Sequence, residues 1–431
     1  MVNLGECLHQ RRLAQAEKIL MYVIIWACFI FLHLSFQRTK VIIKDDTEEL
    51  ERFVAEKENI DDDGTDDVFK LSAEDQEVVR RKEEDELARI KERDAKELVR
   101  LKEERARWFK PVSKYKEADV MKWLGQRPAS KGRYNETKVH PNLPKYLIQE
   151  RDICSINSVD FLLYFNSHPA NFERRNYLRK TWAGNLIFKN LVVRTIFVLG
   201  NTESAEQKKK VEEESKMYHD IIQGNINDTY RNISLKVLLM LDWVHHYCPH
   251  AKYVIKADDD FYVNPYLMIE NMISEIWKKP RVVMCHTKTN NPVISEKNSK
   301  WYISEDMLPK EHKKKLPQFC AGYVVLFTGN LIPDLRKVAL DTPIIPVDDV
   351  YLFGFLMKGV KDVEFISAIN HYTLSVDTGE KMYRNYEKEI KLVAVSAWQE
   401  GTMEHLWDKT LDRLTPLGKE LVNPNFIPSE S

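Results

Sequence analysis

The feature that most restricts the fold is a run of three aspartates between two apolar segments, within residues 253–264. Residues 253–255 are apolar and rich in β-branched and aromatic types, which predicts a buried strand. Asp258, Asp259 and Asp260 follow almost at once. Neighbouring carboxylates repel one another unless a cation or hydrogen-bond donors compensate them. The run is therefore either a polar turn between strands or a site for a hard divalent cation such as Mg²⁺ or Mn²⁺.

Alternating strand and helix patterns precede this run. Apolar strand patterns at 161–167 and 194–200 alternate with helical patterns at 172–182, 203–218 and 234–247. Such alternation favours a parallel or mixed sheet with helices on its faces. Ligands of these sheets bind outside the carboxyl ends of the strands, where the aspartates lie. The predicted fold class is α/β, a mixed sheet flanked by helices.

The N-terminal part predicts a membrane anchor. Residues 19–36 contain no charged side chain, and that length fits a short membrane-spanning helix. Basic residues within 1–18 place this tail in the cytosol by the positive-inside rule. The alternatives are a cleaved signal peptide, although no small-residue cleavage site follows the run, and a buried core helix. An uncleaved anchor would leave the bulk of the chain in the lumen.

Residues 37–150 predict a luminal stem that leads to a globular domain at 151–431. Acidic and basic residues alternate at helical spacing over 80–107, which supports a long exposed helix. Its apolar stripe is thin, so a self-standing helix or a weak coiled coil is favoured, and a homodimer through the stem stays open. The net charge of −1 gives no electrostatic case for nucleic-acid binding.

Cysteines and glycosylation sequons indicate the secretory pathway. The cysteines of the luminal part are compatible with two disulfides in any of three pairings: Cys154, Cys248, Cys285 and Cys320. Sequons for N-glycosylation begin at Asn135, Asn227 and Asn232.

Further residues are candidates for chemistry. Arg175 and Arg179 are four apart, so on a helix they share a face and either grip a diphosphate or form a solvated basic face. Asp348 and Asp349 precede an apolar helical segment, where an aspartate caps the helix or acts as a general base. His371 is either a metal ligand or a buried polar residue.

A series of motifs connects these candidates. They are Phe165-Asn-Ser-His-Pro, Arg174-Arg-Asn-Tyr-Leu-Arg-Lys-Thr-Trp, Asp228-Thr-Tyr-Arg-Asn-Ile-Ser-Leu-Lys, Lys256-Ala-Asp-Asp-Asp-Phe-Tyr-Val-Asn, Ser299-Lys-Trp, Leu316-Pro-Gln-Phe-Cys-Ala-Gly and Val347-Asp-Asp-Val. In this order they resemble the β-1,3-galactosyltransferase and β-1,3-N-acetylglucosaminyltransferase family, which is related to the fringe proteins. The resemblance runs from about Cys154 to about His371.

The resemblance implies a GT-A-type fold in a single-pass type II Golgi membrane protein. It implies an inverting, β-1,3-linked transfer from UDP-galactose or UDP-N-acetylglucosamine to a glycan acceptor on a glycoprotein or glycolipid, with Mn²⁺ bridging the donor phosphates. By motif position, Asp260 is the main metal ligand and His371 a second one, Asp258 faces the donor's ribose or sugar, and Asp349 is the base. The donor site or its framework is assigned Arg175, Arg179, Lys236 and Asp259.

Three positions depart from the family pattern. Val324, after Tyr323, and Phe353 stand where the family has glycine, and Asp348 stands where it usually has glutamate, all near the expected acceptor side. These departures favour an alternative function, a catalytically inactive member that acts as a luminal partner or chaperone of another glycosyltransferase. The retained Asp258, Asp260 and Asp349 favour the enzyme.

Overall fold

A computed structural model of the protein describes residues 115–126, 138–156 and 158–426, together with Arg89 and Lys96. The chain divides into two compact units, Met1–Ala95 and Lys96–Ser431, and the fold below belongs to the second. The predicted tail, anchor and most of the stem, like the Asn135 sequon, lie outside the described residues. Within the described ranges, no helix has both the length and the apolar character required to cross a membrane.

An eight-stranded mixed sheet forms the centre of the fold. The strands in chain order are β1 Tyr146–Gln149, β2 Val159–Asn166, β3 Val193–Asn201, β4 Ile221–Asn227, β5 Ala251–Asp258, β6 Phe261–Val263, β7 Val282–Lys288, β8 Phe319–Thr328, β9 Glu364–Ser367, β10 Tyr372–Thr373 and β11 Ala394–Ser396. The large sheet has the order β1-β4-β3-β2-β5-β8-β7-β9, and a small sheet has the order β10-β11-β6. The prediction of a mixed α/β sheet is confirmed.

Helices cover both faces of the sheet. They are α1 Glu117–Gly125, α2 Phe172–Lys180, α3 Ala205–Tyr218, α4 Ile233–Tyr247, α5 Pro265–Leu267, α6 Ser274–Ile276, α7 Ile332–Ala339, α8 Val376–Arg384, α9 Thr402–Asp412 and α10 Pro416–Leu421. In addition, residues Met268–Ile273 and Val350–Leu356 form two π-helical segments. The five elements predicted before the aspartate run are confirmed, with ends within a few residues of the predicted ones.

Strand β2 shows why the chain folds this way. Seven of its eight positions are buried, because helices pack on both faces of a parallel sheet. Phe161 and Phe165 enter the core cluster that includes Leu178 of α2. Leu162 and Tyr164 enter the other cluster, which includes α4. The two faces of the sheet are called below the α2 face and the α4 face.

Elements before residue 151 also contribute to the core. Val120, Trp123 and Leu124 of α1 are buried and belong to the core cluster of the α2 face. The Trp123 ring stacks on Trp277 with centroids 5.9 Å apart. Strand β1 pairs antiparallel with β4 at the sheet edge. The packing of the domain therefore draws on residues that precede its predicted start.

The structure selects one of the three disulfide pairings. Cys154 bonds to Cys248 and Cys285 bonds to Cys320, which confirms two disulfides in this part of the chain. The first connects the chain just before β2 with the end of α4, over a sequence separation of 94, and the second joins β7 and β8 over 35.

Replacing Cys154 and Cys248 by serine should lower the free energy of unfolding by roughly 2–5 kcal/mol, because the unfolded chain gains the freedom of a long open loop. The matched control replaces Cys285 and Cys320. In the chain-entropy model its shorter loop makes the loss smaller by about 0.9 kcal/mol. Urea denaturation of the two double variants measures both losses, and a larger loss for the shorter loop would contradict the loop-entropy account.

Candidate functional site

The carboxyl ends of β2 and β5 bring together the residues on which the site is built. Tyr164 lies opposite Lys256, and Asn166 lies opposite Asp258. Side chains alternate along a strand, so these four project from one face of the sheet. Tyr164 donates a hydrogen bond to Asn166, and Asn166 Nδ2 donates to Asp348 Oδ2 at 3.2 Å. The row therefore links two strand ends to the segment that carries the second aspartate pair.

Lys256 places a buried ammonium group beneath this acidic edge. The residue is 2% exposed. Its Nζ lies 2.6 Å from Asp258 Oδ1 and 3.7 Å from Asp348 Oδ2, and it donates to the carbonyl of Gly322. Burial lowers the pKa of Lys256, but the charges of Asp258 and Asp348 outweigh it and raise the pKa above its ordinary value. The ammonium supplies the compensation that the aspartates need.

Lys256 and Asn166 were not identified as site residues from the sequence. Lys256 stands two residues before the candidate Asp258 on β5. Asn166 stands two residues after Tyr164 on β2. Period-two alternation along a strand was therefore the available signal. It shows which side chains share a face, but not that β2 and β5 are neighbours.

Asp349 lies at the start of a π-helical segment and is held by two backbone amides. Its Oδ1 accepts from Val350 N at 2.7 Å, and its Oδ2 accepts from Gly322 N at 3.2 Å. Burial, reinforced by the charge of Asp348, raises the pKa of Asp349 to about 7. A carboxylate with this pKa is suited to accept a proton near neutral pH. The bond to Val350 N is also a cap, so the two predicted roles are compatible.

Gly322 allows the backbone to approach Asp349 this closely. A Cβ at this position would lie 2.9 Å from the Asp349 Cβ and 3.0 Å from Lys256 Nζ. Any side chain would therefore displace either the carboxylate or the ammonium.

Val324 and Phe353, which replace glycines of the family pattern, are packed in the core. Val324 is 2% exposed and Phe353 is fully buried. The Tyr323 ring stacks on Phe261, with centroids 5.0 Å apart and planes at 11°. Its hydroxyl is hydrogen-bonded to His286. Because Phe261 belongs to the α2-face core, the Tyr323 ring packs away from the α4 face, where Asp349 lies.

Asp258 and Asp260 present carboxylates to solvent at the end of β5. Their side chains are 43% and 35% exposed. Partial burial and the charge of Asp348 raise the pKa of Asp258 to about 6, against the opposing effect of Lys256. Burial and the neighbouring Asp259 raise the pKa of Asp260. Burial is therefore the main cause of both raised pKa values, and a neighbouring carboxylate adds to each.

Asp259 points to the α2 face, where its carboxylate is hydrogen-bonded to neighbouring side chains. Its Oδ2 accepts from Ser167 Oγ at 2.7 Å and from Asn171 Nδ2 at 2.9 Å. Arg174 Nη1 lies 3.2 Å from Asp259 Oδ1 and 3.8 Å from Asp260 Oδ2. Asp259 therefore fixes the loop after β2 and the first turn of α2. Arg174 is the arginine of this segment that stands beside the open edge.

The carboxylates fit the metal that the resemblance implies. Asp258 and Asp260 provide hard oxygen ligands at a partly exposed edge. Throughout the described residues, no group of three or more His, Cys, Asp or Glu side chains has the arrangement of a complete metal site. A hard cation bound through one or two carboxylates completes its ligands with water and substrate phosphates. The set therefore suits a cation shared with a diphosphate.

The structure does not bring His371 to this edge. The carbonyl of His371 accepts from Val393 N, and that of Val393 accepts from Asn264 N. The backbone beside Asp260 is instead Ala397, whose N donates to the Asp260 carbonyl at 2.7 Å. The strand Phe261–Val263 lies between Asp260 and Asn264, so the two residues are four steps apart along the strand, or about 13 Å. The register of the small sheet therefore gives no support to His371 as a ligand.

Arg175 and Arg179 lie below the site as parts of its framework. Arg175 is fully buried, and its Nη2 lies 2.6 Å from Glu214 Oε2. Arg179 lies 2.8 Å from both Glu214 and Asp220. Their shared face is directed at carboxylates of α3 and the start of β4, which occupy Nε and Nη2 of both guanidinium groups. Arg179 Nη1 is buried without a hydrogen-bond partner. The predicted diphosphate contact is not formed by these two side chains.

Lys236 has a similar framework position. Its Nζ lies 2.7 Å from Asp228 Oδ2 and donates to the Ser167 carbonyl at 2.9 Å. Asp228 also accepts from Gly200 N at 2.7 Å. Burial lowers the pKa of Lys236. Together these contacts connect the chain at the carboxyl ends of β2, β3 and β4, which lets the site keep its shape.

A pocket of about 290 Å³ opens on the other side of the aspartate run. Its wall includes Arg174, Tyr177, Asp259, Trp398 and Glu404. These residues lie on the α2 face, whereas Asp349 lies on the α4 face. The acidic edge is thus accessible from two sides, and the base is on the side away from this pocket.

Comparisons with known proteins show similarity to galactosyltransferases. Residues 173–367 match the family model described as Galactosyltransferase. The chain is 29% identical to β-1,3-galactosyltransferase 1 of Mus musculus over 57% of its length and 74% of the relative's. It is 33% identical to β-1,3-galactosyltransferase 2 of Homo sapiens over 52% of its length and 54% of the relative's.

Residues 173–367 therefore form a galactosyltransferase-like domain. The chain is a hexosyltransferase of the β-1,3-galactosyltransferase type, so it uses a sugar donor and a glycan acceptor. A solved structure of the galactosyltransferase LgtC with donor and acceptor sugar analogues aligns with a TM-score of 0.29 and 12% identity, over 62% of this chain and 98% of that one.

Arg175→Met should destabilise the protein by roughly 3–5 kcal/mol, because it leaves a buried carboxylate network one cation short. The matched control is Arg174→Met, whose side chain is 42% exposed. An exposed ion pair contributes roughly 0–1 kcal/mol, so its loss should hardly change stability. Urea denaturation distinguishes the two, and equal stability of both variants would contradict the framework role of Arg175.

Proposed function

We propose that the protein transfers galactose or N-acetylglucosamine from a UDP-sugar to a hydroxyl of a glycan acceptor, forming a β-1,3 linkage with inversion. The observation that carries this proposal is Asp349, a carboxylate with a pKa raised to about 7. It lies on the same face as Asp258 and Lys256. The names of the two relatives support the linkage and the type of sugar.

A single displacement accounts for the inversion. The acceptor oxygen attacks the anomeric carbon while Asp349 takes its proton, the bond to the UDP oxygen breaks, and UDP leaves with the bonding electrons. Asp349 ends the step as the neutral acid. A positioned base of this kind contributes typically ~10²–10⁴-fold to the rate. Lys256 stays protonated throughout, so it keeps the acidic edge in place while the charge on Asp349 changes.

The donor phosphates belong at the edge formed by Asp258 and Asp260, beside Arg174. Mn²⁺ held there would stabilise the negative charge of the departing diphosphate. Asp258 and Asp260 are the residues that would hold it. Arg174 offers a second positive charge at the same edge, 3.8 Å from Asp260.

The cellular setting follows from the sequence. We place the protein in the Golgi membrane as a single-pass type II protein, with residues 19–36 as anchor, residues 151–431 in the lumen and the stem as a surface for dimerisation. The glycan acceptor is carried by a glycoprotein or glycolipid.

A donor screen tests the activity. The purified full-length protein is incubated with UDP-galactose or UDP-N-acetylglucosamine, Mn²⁺ and a mixture of simple β-glycosides. Mass spectrometry of the product identifies the sugar added, and the proton coupling constant at its anomeric carbon gives the configuration. An α-linked product, or no product with either donor, would contradict the proposal.

Asp349→Asn should reduce transfer by at least ~10²-fold, because asparagine cannot accept the proton. Asparagine is itself a good helix cap, so stability should change little. UDP affinity in the presence of Mn²⁺ should also be retained, since the base acts only on the acceptor.

The matched variant is Asp260→Asn, which should lose that affinity because it removes charge from the metal-binding edge. Calorimetric titration with UDP, combined with a transfer assay, separates the two effects. Near-normal transfer by Asp349→Asn would remove Asp349 from the mechanism.

The transfer rate should rise with pH through about 7. A base works only when deprotonated, so its active fraction falls as pH drops below its pKa; with a pKa of about 7, the rate at pH 6 should be on the order of tenfold below that at pH 8. The measurement is kcat at saturating donor and acceptor across that range. The residual activity of Asp349→Asn serves as the control and should lack this limb. A pH profile shared by both proteins would assign the limb to another group.

A further inference from the structure

An exposed aromatic cluster lies beside the aspartate pair. Trp301 is 50% exposed and Tyr230 is 36% exposed. Lys300 Nζ lies 4.7 Å from the centre of the Trp301 ring and 5.5 Å from that of Tyr230. We call Tyr230, Lys300 and Trp301 the aromatic platform. Exposed aromatic rings that are grouped in one patch with a polar rim are a candidate ligand-binding surface.

The platform joins two distant parts of the sequence. Tyr230 begins the 3₁₀ helix Tyr230–Asn232, whereas Trp301 lies in the turn after β7. Arg231 Nη1 donates to the Tyr302 carbonyl at 2.5 Å, and its guanidinium lies 5.4 Å from the centre of the Tyr302 ring. The turn that carries Trp301 is therefore fixed to the 3₁₀ helix.

The same 3₁₀ helix is fixed to the segment of the base. Helix α4 follows it directly, and Ser234 Oγ in the first turn donates to the Ile345 carbonyl at 2.5 Å. Ile345 is four residues before Asp349. Ser234 is fully buried, so this bond is protected from water. In agreement with this placement, burial and the charges of Asp348 and Asp349 raise the pKa of Tyr230.

A third exposed aromatic residue lies on the opposite side. Trp398 is 59% exposed and borders the pocket on the α2 face. It follows Ala397, whose N donates to the Asp260 carbonyl. Trp398 is thus near the metal-binding edge but on the side away from Asp349. A sugar stacked on Trp301 would therefore lie on the side of Asp349, whereas a sugar stacked on Trp398 would lie on the opposite side.

We propose that the aromatic platform binds a pyranose ring of the acceptor glycan. This inference rests on the proposed function, because the acceptor hydroxyl must come within hydrogen-bond reach of Asp349 and must therefore bind on its face. A hexopyranose presents C–H bonds on one face and hydroxyls at its edge. The C–H face packs on the indole of Trp301, and the Lys300 ammonium, with three donors, is placed for the hydroxyls.

The test measures binding and transfer on the full-length protein. Saturation-transfer NMR with methyl β-galactoside and methyl β-glucoside reports which ring protons contact the protein, and glycerol provides a polyol without a ring face. Trp301→Ala should weaken pyranoside binding at least about tenfold, since truncating a stacking tryptophan removes a dominant contact. Trp301→Phe should recover most of it, and Trp398→Ala should be unchanged. Hydrolysis of the UDP-sugar without acceptor should be the same in all variants.

Three results would contradict pyranose binding at the aromatic platform. These are unchanged binding by Trp301→Ala, a loss confined to Trp398→Ala, or no binding of either pyranoside by the unaltered protein. Failure of the proposed function looks different, because the unaltered protein would then bind pyranosides through Trp301 but transfer no sugar. Thermal melting checks that the variants are folded, and the exposure of Trp301 predicts an unchanged midpoint.

Discussion

The ion pairs of Lys256 are the interactions on which the acidic edge depends. A buried ammonium is unfavourable unless charges and hydrogen bonds repay its desolvation. Here Asp258, Asp348 and the Gly322 carbonyl surround it. The dependence is mutual, because without Lys256 the carboxylates at the ends of β5 and of the segment before the π-helix would repel one another. The sheet fixes this position through the pairing of β5 with β2 on one side and β8 on the other.

The aspartate run divides its work between the two faces of the sheet. Asp258 faces Lys256 and the α4 side, whereas Asp259 turns to the α2 side and binds Ser167, Asn171 and Arg174. Asp260 remains at the open edge. A run that is uniform in sequence therefore contains one residue tied to the buried cation, one structural residue and one exposed carboxylate, which we propose as a metal ligand. Asp258 is the last residue of β5 and projects from one face of the sheet, and Asp259 and Asp260 lie in the turn that follows.

The sequence predicted the strand-and-helix order and the position of the acidic edge, because apolar periodicity reports local structure directly. It did not separate Arg174 from Arg175. The two are adjacent on α2, and their roles depend on which side of the helix meets Glu214, a long-range property. The placement of His371 depends in the same way on the pairing of β10, β11 and β6 across more than a hundred residues. Motif order carries no information about that register.

The surroundings of the carboxylates on the α4 face are the reason why we propose Asp349 as the base. Asp258 gives one oxygen to Lys256, and Asp348 accepts from Asn166 while also facing Lys256. Either would have to give up a cation's attraction in order to take a proton. Asp349 is held only by the amides of Val350 and Gly322, which fix its direction without a full opposing charge. The backbone of Gly322 contacts both Asp349 and Lys256, since its N–H donates to Asp349 and its carbonyl accepts from Lys256. Both side chains are therefore so close that a Cβ at this position would collide with them.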